Sequence, residues 1–198
     1  MGIKITFIII ILLASTSLQS KTKPAKSKPD DNVSALSGFD RVDIIRFAKK
    51  LMGTPYRYAS SNPGKGFDCS GFVNYVYKNF KISLPRSSVG FASYGPGLKP
   101  DQFKVGDVLV FYGFKNKTKV GHVGIICEAD GMNSKFIHSS SGRSKGVTIS
   151  SLGSTMYARR FYKCVDVIDW QKTERRRIIW LMPDTKARIW IRNSILTT

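Results

Sequence analysis

The chain has 198 residues, of which 42% are apolar and 12% aromatic, and its formal net charge is +19. That apolar content can fill the core of one domain of ordinary size and excludes wholesale disorder. The positive excess points to anionic surroundings (nucleic acid, lipid headgroups or acidic wall polymers), but zinc-finger spacing and RNA-binding signatures are missing, so a nucleic-acid module is not expected.

Residues 1–20 have the pattern of an export signal. Lys4 gives a positive end, an apolar run from Ile5 to Ala14 follows, and Ser15, Ser17 and Ser20 are small residues near a plausible cut. The run is short for a membrane span, and an uncleaved anchor is the alternative. Residues 21–37 are polar and rich in Lys, Pro and Ser, which predicts a flexible basic linker.

From Asp40 to Met52 the sequence predicts a helix. Ile44, Phe47, Ala48 and Leu51 share one face, and Gly53 and Pro55 end it. A loop with Asn62-Pro63-Gly64 follows. Asp68 is then a good N-cap for a second helix to about Phe80, with Cys69, Phe72, Val73, Val76 and Phe80 along one face. Beyond Gly106-Asp107 the period changes to two. Strands are expected at 108–112, 122–127, 135–139, 147–150 and 159–167, separated by short polar linkers. Helices followed by strands indicate an α+β fold. The domain is taken as 38–169, with a distinct basic tail at 170–198 carrying Arg175-Arg176-Arg177. That tail is expected to be solvated or loosely docked and to add electrostatic attachment to an anionic wall or membrane.

The chemistry centres on Cys69 and the chain's two histidines, His122 and His138. A cysteine in the first helical turn lies where unpaired backbone N–H groups and the helix dipole stabilise a thiolate. His122 begins a strand and is the expected base, taking the thiol proton and returning it to a leaving amine. His138, on a neighbouring strand, is expected behind His122 to fix its tautomer. The Cys69 backbone N–H is a candidate oxyanion donor. Strand alternation places His122, Gly124 and Ile126 on one face, and the cysteine helix is expected against that face, with Gly124 allowing close approach. Cys127 and Cys164 are read as buried small hydrophobes, with a disulfide as the alternative. Two histidines and scattered cysteines lack metal-ligand spacing, so neither a metal nor another cofactor is expected.

Five segments carry a further signal: Gly53-Thr54-Pro55-Tyr56, Gly66 to Val73 around Asp68-Cys69-Ser70-Gly71, Leu84 to Ser88, Gly106 to Phe111, and Gly121 to Ile125. In this order they resemble the NlpC/p60 family of bacterial cell-wall cysteine peptidases, over about residues 40–168. The resemblance implies a papain-like domain whose N-terminal helices pack on a central antiparallel sheet of about five to six strands. It implies an exported, envelope-located thiol peptidase, expected to act as a monomer, that cuts amide bonds of peptidoglycan stem peptides. The bond is γ-D-glutamyl–diaminopimelate or the D,D cross-link. The family's nucleophile falls on Cys69, its base on His122 and its polar third member on His138. Its site-shaping tyrosine falls on Tyr56, and Asp68 and Ser70 fall where relatives contact the stem's amino end. Two departures border the cleft: Ala59-Ser60 stands where a Gly-Gly pair is usual, and Val89-Gly90-Phe91 where glutamines are usual. The competing readings are an amidase cutting between sugar and stem, and a wall-binding protein without activity.

Overall fold

Helix α1, Arg41–Lys49, buries Ile44, Ile45 and Ala48, with Phe47 and Leu51 partly covered beside them. The structure, a computed structural model, describes residues 40–181. The expected export signal, the linker and the last residues of the tail lie outside these. Helix α2, Cys69–Lys78, packs Phe72, Val73, Val76 and Tyr77 into the same core as α1. Just before α2, the two-residue strands β1 (Ser61–Asn62) and β2 (Gly66–Phe67) form a small hairpin in the segment the sequence predicts as loop.

The remaining strands are β3 (Val108–Tyr112), β4 (Val120–Glu128), β5 (Lys135–Ser140), β6 (Gly146–Ser151) and β7 (Phe161–Val165). They form one five-stranded sheet in the order β6-β5-β4-β3-β7, every neighbouring pair antiparallel. The expected α+β architecture, helices on a central antiparallel sheet, is thus observed. Expected strand 159–167 is shorter than predicted, because Arg159 caps a short helix, α3 (Thr155–Ala158), at one end and a helix begins at Val167 at the other.

Both faces of the sheet are apolar. Val108, Val110, Val123, Ile125, Cys127, Ile137, Val147 and Val165 face α1 and α2. Leu109, Phe111, Ile126, Phe136 and Cys164 face a second cluster with Phe103, Leu152 and Tyr157. The expectation that α2 would cover the face of His122, Gly124 and Ile126 is therefore corrected: α2 covers the opposite face. Gly124 makes room not for α2 but for β5, since a Cβ there would lie 2.5 Å from Phe136 Cδ2 and 3.0 Å from His138 Cβ. The two faces also explain the cysteines. Cys127 and Cys164 are buried free thiols in different clusters, on opposite sides of the sheet.

Arg41 ties α1 to the sheet. Its Nη1 donates to Asp107 at 2.8 Å and its Nη2 to Asp166 at 2.5 Å. Asp107 is fully buried, and burial pushes its carboxyl up to about 6 despite the guanidinium beside it. Arg41→Met would leave that carboxylate unpaired. The expected loss, read by denaturant unfolding, is about 2–3 kcal/mol. This is less than for a sealed pair, because the Arg41 side chain keeps 22% exposure. Helix α4, Val167–Leu181, buries Val167 and Ile168 and runs across position 170, where the sequence suggests the tail begins.

Candidate active site

Asp68 has extended backbone (φ −81°, ψ 174°) and ends the β2 segment as the N-cap of α2. Its Oδ1 accepts from the Gly71 N–H at 2.6 Å and from the Ser70 hydroxyl at 3.2 Å. Short polar side chains favour this position because they satisfy the orphan donors of the first turn. Both Asp68 oxygens also accept from Arg86, at 3.1 and 2.9 Å, a two-pronged pair. Any substrate amine drawn to Asp68 shares it with this guanidinium.

Cys69 follows the cap and is nearly buried. Its Sγ lies 4.0 Å from the Gly121 carbonyl oxygen, and a thiolate there accepts from the backbone N–H groups of Val123, Ser70 and Cys69 itself. The sulfur thus sits beside the peptide groups on both sides of His122. Among the described residues it makes no hydrogen bond to either imidazole; its partners are backbone. Local reasoning from the helix end predicts a depressed thiol pKa. The structure reverses the net direction: burial pushes the thiol up, the three N–H groups offset part of this, and the Asp68 carboxylate adds to the rise.

His122 stands next to a β-bulge. Phe111 pairs with His122 and Tyr112 with Val120, so Gly121 is the extra residue on β4. Bulges re-aim neighbouring side chains, and here the imidazole turns among the rings of Phe111, Tyr157 and His138. Its Nε2 lies 2.9 Å from His138 Nδ1, the two rings perpendicular. His138 is fully buried on β5. Its Nε2 lies 3.0 Å from Ser150 Oγ and 3.4 Å from the Tyr157 hydroxyl. One proton per gap satisfies this line, and the direction that runs from His122 Nε2–H to His138 Nδ1 and from His138 Nε2–H to Ser150 is the one that leaves His122 with a free acceptor. His122 Nδ1 is left as the uncommitted nitrogen.

Burial disfavours charge on both rings. His138 is lowered to about 4, by burial and then by the Arg160 charge. His122 is held well below its ordinary value by burial, then by His138 and Arg160. Both imidazoles are therefore neutral at neutral pH. A base lowered on folding binds fewer protons in the native state than in the unfolded one, so its stabilising effect is complete above about 6.5 and is lost as pH falls toward 4. Denaturant unfolding measured from pH 7 to pH 4 is expected to show stability falling across this window. His138→Gln should make that fall shallower.

Tyr56 is half-buried. Its backbone N–H donates to the Lys145 carbonyl at 2.8 Å and it bridges Phe67, which fixes it beside β2. Burial raises its phenol, with further contributions from Cys69 and Asp68, so all three lie in one electrostatic neighbourhood. The structure thus gathers Asp68, Cys69 and Ser70 at the start of α2, pairs His122 with His138, and sets Tyr56 nearby. Four side chains carry no role in the sequence reading. Arg86 holds Asp68. Ser139 donates to the Phe67 carbonyl at 2.7 Å, tying β5 to the segment ahead of Cys69. Ser150 and Tyr157 stand behind His138. Only Arg86 had a signal, its place in the Leu84 to Ser88 motif. Among the described residues no cluster of His, Cys, Asp or Glu has the makings of a metal site.

The family model described as the NlpC/P60 family matches residues 53–166, more than half of the chain. The chain belongs to the NlpC/P60 family. It is 40% identical over 112 residues to the gamma-DL-glutamyl hydrolase of Bacillus subtilis, covering 56% of this chain and 25% of that protein. It is 35% identical over 118 residues to the murein DD-endopeptidase MepH of Escherichia coli, covering 57% and 41%. The chain thus spans less than half the length of these curated relatives. Among solved structures, an NlpC/P60 family protein from Bacillus cereus superposes with a TM-score of 0.57 at 27% identity, over 66% of this chain and 41% of that one. The NlpC/p60 domain of the peptidoglycan hydrolase SagA gives 0.51 at 29% identity, over 65% and 99%. The relatives of this NlpC/P60 chain thus include a glutamyl hydrolase, a murein endopeptidase and a peptidoglycan hydrolase.

Proposed function

We propose that this chain is an exported thiol endopeptidase that cuts amide bonds in peptidoglycan stem peptides. The observation that carries the reading is the sulfur at the start of α2, set between the peptide groups flanking His122, with His122 Nε2 committed to His138 at 2.9 Å. Relatives named as a murein endopeptidase and a glutamyl hydrolase support the substrate class.

In this mechanism Sγ attacks the scissile carbonyl carbon while its proton passes to His122 Nδ1. The oxyanion is held by the Cys69 N–H at the open end of α2. As the C–N bond breaks, His122 returns the proton to the leaving amine, and a thioester remains on Cys69. Water, deprotonated by His122, then attacks the thioester, releasing the carboxylic acid and restoring the thiol. His138, held by Ser150, keeps the His122 proton on Nε2, so that Nδ1 is free to accept. Tyr56 shapes the cleft, and Asp68 and Ser70 meet the amino end of the stem. Export through residues 1–20 and action in the envelope belong to the same proposal.

Digestion of defined muropeptides, with the fragments weighed by mass spectrometry, tests it. Cleavage at γ-D-glutamyl–diaminopimelate or at the D,D cross-link is expected. Glycan stripped of whole stems would identify an amidase instead, and intact substrate would sink the enzymatic reading.

A further inference from the structure

Two arginines among the described residues, Arg41 and Arg160, are partly sheltered, and a third, Arg86, is more exposed beside the cysteine helix. Arg41 holds Asp107 and Asp166, and Arg86 holds Asp68. Arg160 has no carboxylate within salt-bridge distance among the described residues. It precedes β7 and is locked in place by Tyr112: the Arg160 carbonyl accepts from the Tyr112 N–H at 2.8 Å, and its Nε donates to the Tyr112 carbonyl at 2.9 Å. The guanidinium carbon lies 6.0 Å from the Tyr157 ring centre and 5.8 Å from that of Phe114, whose side chain is 73% exposed. Burial holds Arg160 below its ordinary value, whereas the hydrogen bond to Asp68 raises Arg86.

With Nε committed, both terminal nitrogens remain. They form a planar fork whose N–H groups match the two oxygens of a carboxylate. Sheltering a cation without an anion is costly unless an anion arrives from outside. The position suggests which anion. Arg160 lies within electrostatic range of Cys69, His122 and His138, and Tyr157 stands between it and His138. It is therefore on the histidine side of the sulfur, and it makes no ion pair with Asp68, which Arg86 holds. In the mechanism proposed above, His122 protonates the departing amine, so the leaving half of the substrate lies on that side.

We propose that Arg160 binds a free carboxylate on the leaving half of the stem peptide, so that the site discriminates carboxylate from carboxamide there. The inference rests on the endopeptidase reading for the direction of the substrate, but its test is a binding measurement. In the Cys69→Ala protein, calorimetry compares a stem peptide whose leaving-side diaminopimelate carries a free carboxylate with the same peptide as carboxamide. The carboxylate form is expected to bind roughly tenfold more tightly. Arg160→Gln should erase the preference, and Arg160→Lys, a point charge without the fork, should restore only part of it. Thermal unfolding of each variant reports the lost Tyr112 contact separately, since a purely structural role would weaken both peptides alike and leave their ratio unchanged. An equal ratio in Arg160→Gln, or binding of neither peptide at millimolar concentration, would overturn the proposal. A carboxylate preference that depends on Arg160, in a protein whose wild type cleaves neither peptide, would uphold Arg160 as the carboxylate site and reject the endopeptidase reading.

Discussion

Cys69→Ala is expected to lower kcat/KM on stem peptides by about 10⁴-fold or more, with thermal unfolding almost unchanged. In the mechanism proposed above the rate effect follows from the loss of the nucleophile, after which binding and oxyanion stabilisation remain. The small stability effect follows from the surroundings of Sγ. Among the described residues its hydrogen-bond partners are peptide groups, of Gly121 and Val123 at the start of β4 and of Ser70 and Cys69 in α2, and no side chain depends on it. Alanine keeps the first turn of α2 and the Asp68 cap. Because burial raises the thiol and both imidazoles are neutral, the resting pair is thiol and imidazole rather than thiolate and imidazolium. Alkylation of Cys69 by iodoacetamide should therefore be slow at acid pH and rise toward alkaline pH. Fast alkylation at pH 5 would contradict this, as would stem-peptide cleavage by Cys69→Ala at the wild-type rate.

The parts of this site that were readable in the sequence are those set by local period and local chemistry. Apolar spacing marked α2, an aspartate ahead of it marked the cap, and alternation marked β3, β4 and β5 near their observed limits. The errors lie where tertiary contacts decide. Alternation separates the two faces of β4 but does not say which layer covers each, and since both faces are apolar, periodicity alone does not place α2. The rise in the thiol pKa comes from burial, a tertiary effect that no helix-end argument contains. The bulge at Gly121 depends on pairing with β3. Ser150, Tyr157 and Arg160 fall on or just before later elements with no local pattern that links them to His138. The Ala59-Ser60 departure has a physical outcome: Ala59 sits at φ +56°, in the left-handed region that favours glycine. Ala59 thus holds, with a side chain, a conformation that a glycine would adopt without strain.

Gly71→Ala should be the most damaging single methyl in the domain. A Cβ at Gly71 would lie 2.1 Å from the Ser60 carbonyl oxygen and 3.0 Å from Asp68 Oδ1. Neither can yield cheaply. The Ser60 carbonyl accepts from the Asp68 N–H at 2.9 Å, and the Ser60 hydroxyl donates to Gly66 at 2.6 Å, so the β1–β2 hairpin and the cap are held through the same residue. Asp68 Oδ1 also serves Gly71 N–H and Arg86. Relief requires moving either the hairpin or the first turn of α2, and both moves displace Cys69 from the peptide groups around His122. The expected cost is about 3 kcal/mol or more in denaturant unfolding, as for an overpacked backbone site. In the fraction that folds, cleavage should fall about 100-fold, because a shift near 1 Å in a positioned nucleophile is enough for that loss. Gly124→Ala is the instructive comparison. Its Cβ would meet Phe136 and His138 side-chain atoms rather than a carbonyl, so part of the strain can relax through the rings. Its stability cost should be smaller, while its activity still falls through His138. A Gly71→Ala protein as stable and active as wild type would mean that the Ser60 carbonyl does not hold the start of α2.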